Sequence, residues 1–343
     1  MEIGIDSFAA ILPDPATGRL PSATERMAEL IEEVVAADRV GLDVFGIGEH
    51  HRGEFLDSAP TVILAAAAAR TSRIRLTSAV TVLSAADPVR VFQEFATLDL
   101  ISKGRAEVVV GRGSFVEAYP LFGLDTRDYD DLFAEKLDLF LQLGETTNIT
   151  WEGRFRPALD GQGVFPRPHQ PKLPLWIGVG GTPQSFARAG ALGIPLMVAI
   201  IGGSFERFRP LVDLYHEAGK RAGHRPETLK VGVHAMGFVG ETDTEARDAF
   251  FPGWAHLTTT IGRERGWSPP SRQQFEAMAG PEGAFLVGAP QTVAAKMLQA
   301  SETLGGVSRF TFQMSTASLD TAAMKRSIEL LGTEVAPIVR AAR

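Results

Sequence analysis

Short runs rich in β-branched residues alternate with longer stretches of helical period from one end of this sequence to the other, and that rhythm admits few folds. The candidate strands are residues 2–8, 44–49, 74–82, 106–110, 175–179, 195–201, 231–239 and 309–314, each beside a plausible helix. Eight strands separated by helices favour a parallel sheet closed on itself, an α/β TIM (β/α)8 barrel with insertions. A length of 343 residues suits one such domain, so 1–343 is read as a single unit. Helix starts are marked by Ser22 before Ala23-Thr24-Glu25, by Asp87 before Pro88 and by Thr182 before Pro183. These caps follow strand ends closely, which places the connecting loops on the barrel face where enzymes of this architecture keep their sites.

Two segments break the rhythm. Residues 144–174 are rich in Gly, Pro and aromatics and read as an excursion or short hairpin. Residues 257–288, with Trp267-Ser268-Pro269-Pro270 and Gly280-Pro281, read as helical pieces around a loop that covers the site.

Composition excludes several chemistries. Zero cysteines remove disulfides, thiolate metal sites, iron–sulfur clusters and a cysteine nucleophile. The net charge of −7 is spread along the chain with no run of five Lys or Arg, so no nucleic-acid partner is expected. Glu2 and Asp6 stand where a signal peptide would be basic and then apolar, and the longest apolar run, near residues 62–69, is closed by Arg70. The expectation is a soluble, cytoplasmic protein with no membrane contact. Histidine and carboxylate spacing gives no metal site, and no Gly-x-Ser-x-Gly elbow is present.

Four motifs fall at strand ends. Glu49-His50-His51 follows the second strand; by alternation one histidine would face the cavity and the other pack outward, although both would serve equally as structural groups. Ser78-Ala79-Val80-Thr81 offers small side chains that let a planar ligand approach the backbone, or simply a tightly packed wall. Gly111-Arg112-Gly113-Ser114 joins flexible backbone to a guanidinium suited to phosphate, or forms a surface turn. Ile177-Gly178-Val179-Gly180-Gly181-Thr182-Pro183-Gln184-Ser185 runs into a helix start, where free amides and the Thr182 and Ser185 hydroxyls suit an anion, or a glycine-rich cap. It is neither a Walker loop nor a dinucleotide fingerprint. Two anion signals on one rim can converge on a single phosphomonoester, which implies a phosphorylated ligand.

The chain also resembles the luciferase-like flavin monooxygenase family. The resemblance spans nearly the whole length. It is carried by Asp87-Pro88-Val89-Arg90 with Leu98-Asp99-Leu100-Ile101-Ser102-Lys103-Gly104-Arg105, together with Glu49-His50-His51, Gly111-Arg112-Gly113 and Leu121-Phe122-Gly123. It implies a barrel that uses reduced FMN and O2 to oxygenate a small organic substrate. It further implies that His50 is catalytic and that Ala79 and Val80, joined by a non-proline cis peptide, support the flavin ring. Arg112, Gly113, Gly180, Gly181, Thr182 and Ser185 would then hold the phosphate. Gly111 and Gly181 depart from luciferase, which has a cysteine and a carboxylate there, so light emission is not implied. A separate NAD(P)H:flavin reductase is expected, since no NAD fingerprint is present, and a homodimer is implied by resemblance. The alternatives are an F420-dependent oxidoreductase, a non-catalytic flavin-binding protein and, outside the family, a phosphosugar-binding barrel.

Overall fold

In the computed structural model, which describes residues 1–14, 17–317 and 321–342, each of the eight expected strands forms. In chain order the strands are β1 (Glu2–Ser7), β2 (Val44–Ile47), β3 (Arg75–Ser78), β4 (Thr81–Val82), β5 (Val108–Gly111), β6 (Asn148–Trp151), β7 (Leu159–Gly163), β8 (Leu175–Val179), β9 (Leu196–Ile200), β10 (Val231–Val239), β11 (Leu286–Gly288) and β12 (Arg309–Gln313). The main sheet runs β3-β2-β1-β12-β10-β9-β8-β5-β4, parallel throughout, with β11 added beside β10. Strands β3 and β4 are two halves of the single strand expected over 74–82, divided at the cis Ala79–Val80 peptide. Leu76 on β3 also bonds both ways to the chain entering β5, through Leu76 N to Arg105 O at 2.9 Å and Glu107 N to Leu76 O at 3.0 Å. That pair of bonds carries the sheet around from one edge to the other, giving the barrel.

The strands of this parallel sheet are buried on both faces, as continuous apolar runs in a helix-covered sheet must be. Their helices start where the sequence marks them. Ser22 Oγ accepts from Glu25 N at 3.2 Å while Glu25 Oε2 accepts from Ser22 N at 2.8 Å, a reciprocal cap. Asp87 Oδ1 accepts from Val89 N and Arg90 N. Thr182 caps the helix Pro183–Leu192 by position only, its hydroxyl making no bond to the helix.

Register sets the barrel interior. Met236, Gln313, Asp6, Gly46 and Thr77 occupy one level across β10, β12, β1, β2 and β3, and His234 with Thr311 lie two residues lower. The floor is ionic: Arg309, 2% exposed, pairs with Glu107 and Glu2 and stacks on Trp176 at 4.3 Å.

The excursion at 144–174 contains the antiparallel hairpin β6–β7. The segment 257–288 is more helical than its proline pairs suggest. Helix Asp243–Arg265 runs through Pro252 to a left-handed Gly266, and a second capping box at Ser271 starts helix Arg272–Ala279. Its end rests on the barrel rim: Glu264 accepts from Arg52 at 2.7 and 2.8 Å, and Arg265 lies 5.0 Å over Phe115. Among the described residues no helix is long and apolar enough to cross a membrane.

Candidate active site

A cavity of about 550 Å³ opens at the carboxyl ends of the strands. His50, Ala79, Val80, Arg112, Gly113, Gly180, Gly181 and Thr182 all line it, so motifs spread over 130 positions of sequence meet in one place. Ser185 stands just behind, within the Arg112 network. No residue of 257–288 is part of the lining.

One wall gathers a guanidinium and two hydroxyls at a single locus. Arg112 leaves the end of β5 and donates from Nη2 to Ser185 Oγ at 3.1 Å and to Thr182 Oγ1 at 3.3 Å. Both glycine-rich strand exits therefore serve one locus. The Tyr129 ring supports the guanidinium at 4.9 Å, and its hydroxyl donates to Gly113 O at 2.7 Å, fixing the turn that follows. Tyr119 donates to Arg112 O, and burial pushes its phenol up to about 12, so it stays a neutral donor. The remaining guanidinium edge meets Asp130, which is mostly exposed. A Cβ on Gly180 or Gly181 would meet nothing within 4 Å, so the backbone beside Thr182 is open to a ligand.

The adjoining wall is apolar and flat. Val80 projects between two glycines: a Cβ on Gly178 would fall 2.5 Å from its Cγ1, and one on Gly111 would fall 2.7 Å from its Cγ2. Only residues without side chains leave Val80 this place. Glu49 secures the same stretch by accepting from Val82 N at 2.8 Å, while its other oxygen lies 3.3 Å from His51 Nε2. Both histidines line the cavity. The alternation expected for them does not apply, because β2 ends at Ile47 and residues 48–50 are already outside strand geometry.

His50 is buried and held from behind. Its Nδ1 lies 2.8 Å from Oδ2 of Asp57, which has no exposed surface. Burial pushes the Asp57 carboxyl up from the usual carboxylate range, and the hydrogen bond to His50 opposes it. With Nδ1 so committed, Nε2 is the nitrogen left to serve the cavity. Phe8 packs against the His50 ring at 4.5 Å. Asp57, Phe8, Asp6, His234 and Asp130 were not singled out from the sequence. The only signals were a lone aspartate in Ile-Gly-Ile-Asp-Ser and a lone histidine in the apolar strand β10. Among the described residues no cluster of three or more His, Asp or Glu has the arrangement of a metal site.

Residues 1–307 match the model of the luciferase-like monooxygenase family. The chain belongs to that family. As a luciferase-like monooxygenase it is 25% identical over 353 residues to 3,6-diketocamphane 1,6-monooxygenase of Pseudomonas putida, covering 90% of this chain and 91% of that protein. It is also 30% identical over 164 residues to an F420-dependent glucose-6-phosphate dehydrogenase of Amycolatopsis mediterranei, covering 45% and 48%. In structure it is similar to the oxygenating constituent of the Pseudomonas putida 3,6-diketocamphane monooxygenase in complex with FMN, with a TM-score of 0.79 at 22% identity over 99% of this chain and 98% of that one. Family members thus include both monooxygenases and F420-dependent enzymes, and this one is an oxidoreductase barrel with its cavity at the strand ends.

Proposed function

We propose that this family member is a two-component monooxygenase that takes reduced FMN from a separate reductase and uses O2 to oxygenate a small organic substrate. The observation that carries the reading is the convergence of Arg112, Thr182 and Ser185 on one point of the cavity rim. A guanidinium, two hydroxyls and open glycine backbone match the donors a phosphomonoester needs. The apolar shelf made by Ala79 and Val80 next to that point suits a flat ring system, and its glycine cradle leaves room for one. The donor set therefore fits FMN.

Bound reduced FMN would supply the electrons that activate O2. The chain's own residues do the rest. Arg112, Thr182 and Ser185 hold the phosphate; Val80, braced by Gly111 and Gly178, orients the ring; His50, aligned by Asp57, holds or moves a proton at Nε2. Phe8, Phe115, Met197 and Met236 exclude water from the reacting centre. The rim helix ending at Arg265 is tied to the barrel through Glu264 and Arg52, beside Phe115 of the cavity wall.

The reading is tested by titrating the purified protein with FMN and with F420, then measuring O2 uptake when an NADH-driven flavin reductase is added. FMN binding is expected, with O2 consumption by reductase, NADH and FMN that changes when the protein is added, relative to the same mixture without it. A second reading, hydride transfer with F420, is favoured by the Amycolatopsis relative. Binding of F420 in place of FMN would establish that reading and end the first.

A further inference from the structure

Two histidines on the cavity wall are each paired with an aspartate, and the proposed function uses one of the pairs. The other is deeper. His234 stands in the middle of β10 and its Nδ1 lies 2.6 Å from Oδ2 of Asp6 on β1, with β12 running between the two strands. Both side chains are nine-tenths buried or more, and both line the cavity. The Phe8 ring lies nearly parallel to His234, 17° between planes at 5.8 Å, and also touches His50.

Nothing in the barrel's packing asks for this pair. Asp6 sits at the register level of Gly46 and Gln313, apart from the ionic Arg309–Glu107 floor, and burying a carboxylate there costs free energy that a valine would not. What the pair provides is a defined ring nitrogen. A carboxylate that accepts from Nδ1–H sets the tautomer of a neutral imidazole, the one whose Nε2 is an acceptor.

Beside it lies an unused donor. Thr311 on β12 is the register partner of His234, is 1% exposed, and its Oγ1 has no hydrogen-bond partner among the described residues. Register partners on adjacent strands are about 5 Å apart, so one small polar group can meet both side chains. An acceptor and a donor together match a group that both donates and accepts, namely a hydroxyl. A ketone or ether oxygen only accepts and would leave Nε2 unsatisfied in an apolar cavity.

We infer that His234 and Thr311 form a hydroxyl-recognition subsite on the cavity floor, so that the substrates are apolar molecules bearing an alcohol or phenol. The O–H donates to His234 Nε2 and the oxygen accepts from Thr311 Oγ1. Asp6 is a positioning residue that fixes the imidazole. The substrate class rests on the reading of this cavity as the place where a small organic molecule is oxygenated.

The test uses three probes of one shape: 2-naphthol, 2-methoxynaphthalene and naphthalene, with binding read by ligand fluorescence in FMN-loaded and in flavin-free protein. The parent protein is expected to bind 2-naphthol about tenfold more tightly than either analogue, as for one well-made buried hydrogen-bonding group. In Thr311→Val, isosteric and costing no existing bond, and in His234→Phe the preference falls towards one while naphthalene affinity is kept. Asp6→Asn lowers the preference without changing naphthalene binding, which a purely structural role would not do. Equal affinity for the three probes in the parent overturns the inference, as does a preference that survives Thr311→Val. Failure of FMN to bind overturns the proposed function instead, and the naphthol preference of the flavin-free protein still decides this one.

Discussion

Oδ2 of Asp57, a carboxylate with no exposed surface, lies 2.8 Å from Nδ1 of His50 on the wall of the cavity. The pair fixes which nitrogen of His50 meets a ligand, so the two residues are expected to fail together. His50→Ala should slow turnover while leaving FMN affinity close to that of the parent. Asp57→Asn keeps shape and removes charge; losing a charged hydrogen bond of about 1.5–3 kcal/mol corresponds to a fall of about 10- to 150-fold in kcat. Steady-state O2 consumption and an FMN titration on each variant check this. Parent-like turnover in either removes the pair from the reaction.

Arg112 is expected to show the opposite balance. Its guanidinium bonds Thr182 and Ser185 on one edge and the mostly exposed Asp130 on the other. Arg112→Ala should weaken FMN binding by about 2 kcal/mol, the size of a lost charged hydrogen bond. Asp130→Asn should strengthen it modestly, because the carboxylate competes with the phosphate for the same cation. An FMN titration indifferent to Arg112→Ala would take this residue out of the phosphate site.

Much of this was legible before any coordinates. Buried parallel strands are near-continuous apolar runs, so all eight could be read, with two of them, residues 175–179 and 231–239, correct at both ends. The motif residues His50, Arg112 and Thr182 stood out because each follows a strand directly. Asp57 did not, because it lies in a loop and acquires meaning only through the histidine it touches. The Asp6–His234 pair joins positions 228 apart, and the seating of Val80 between Gly111 and Gly178 depends on three separate strand ends. Local pattern carries information about which element forms. It carries none about which side chain lies opposite across a barrel.

That seating of Val80 gives a prediction of its own. Gly178→Ala places a methyl group 2.5 Å from Val80 Cγ1, so the Val80 side chain must shift. Overpacking of this kind costs about 1–3 kcal/mol, and the displaced side chain should also lower FMN affinity. Adding Val80→Ala should restore stability but not FMN affinity, since the side chain that supports the ring is gone. Chemical denaturation and FMN titration of the single and double variants check it; a double variant no more stable than Gly178→Ala would show that the glycine is needed for some other contact.

Lys296 links the rim excursion to the barrel, and its effect should depend on pH. From helix Pro290–Thr303 its Nζ donates to Gly280 O and Phe285 O at 2.6 Å each and to Ala279 O at 3.2 Å, holding the turn after helix Arg272–Ala279. Burial lowers its pKa from 10.5 to about 8. Below that value the amine is charged in both folded and unfolded chains. Between about 8 and 10.5 the unfolded chain keeps a proton that the folded chain has released, so stability rises with pH across that window, by at most roughly 3 kcal/mol. Lys296→Met removes this titration and leaves the others in place. Urea midpoints measured at pH 7.5, 9 and 10 should therefore climb in the parent relative to Lys296→Met. Midpoints that run parallel would mean that the carbonyls, pulling against burial, keep the ammonium charged throughout.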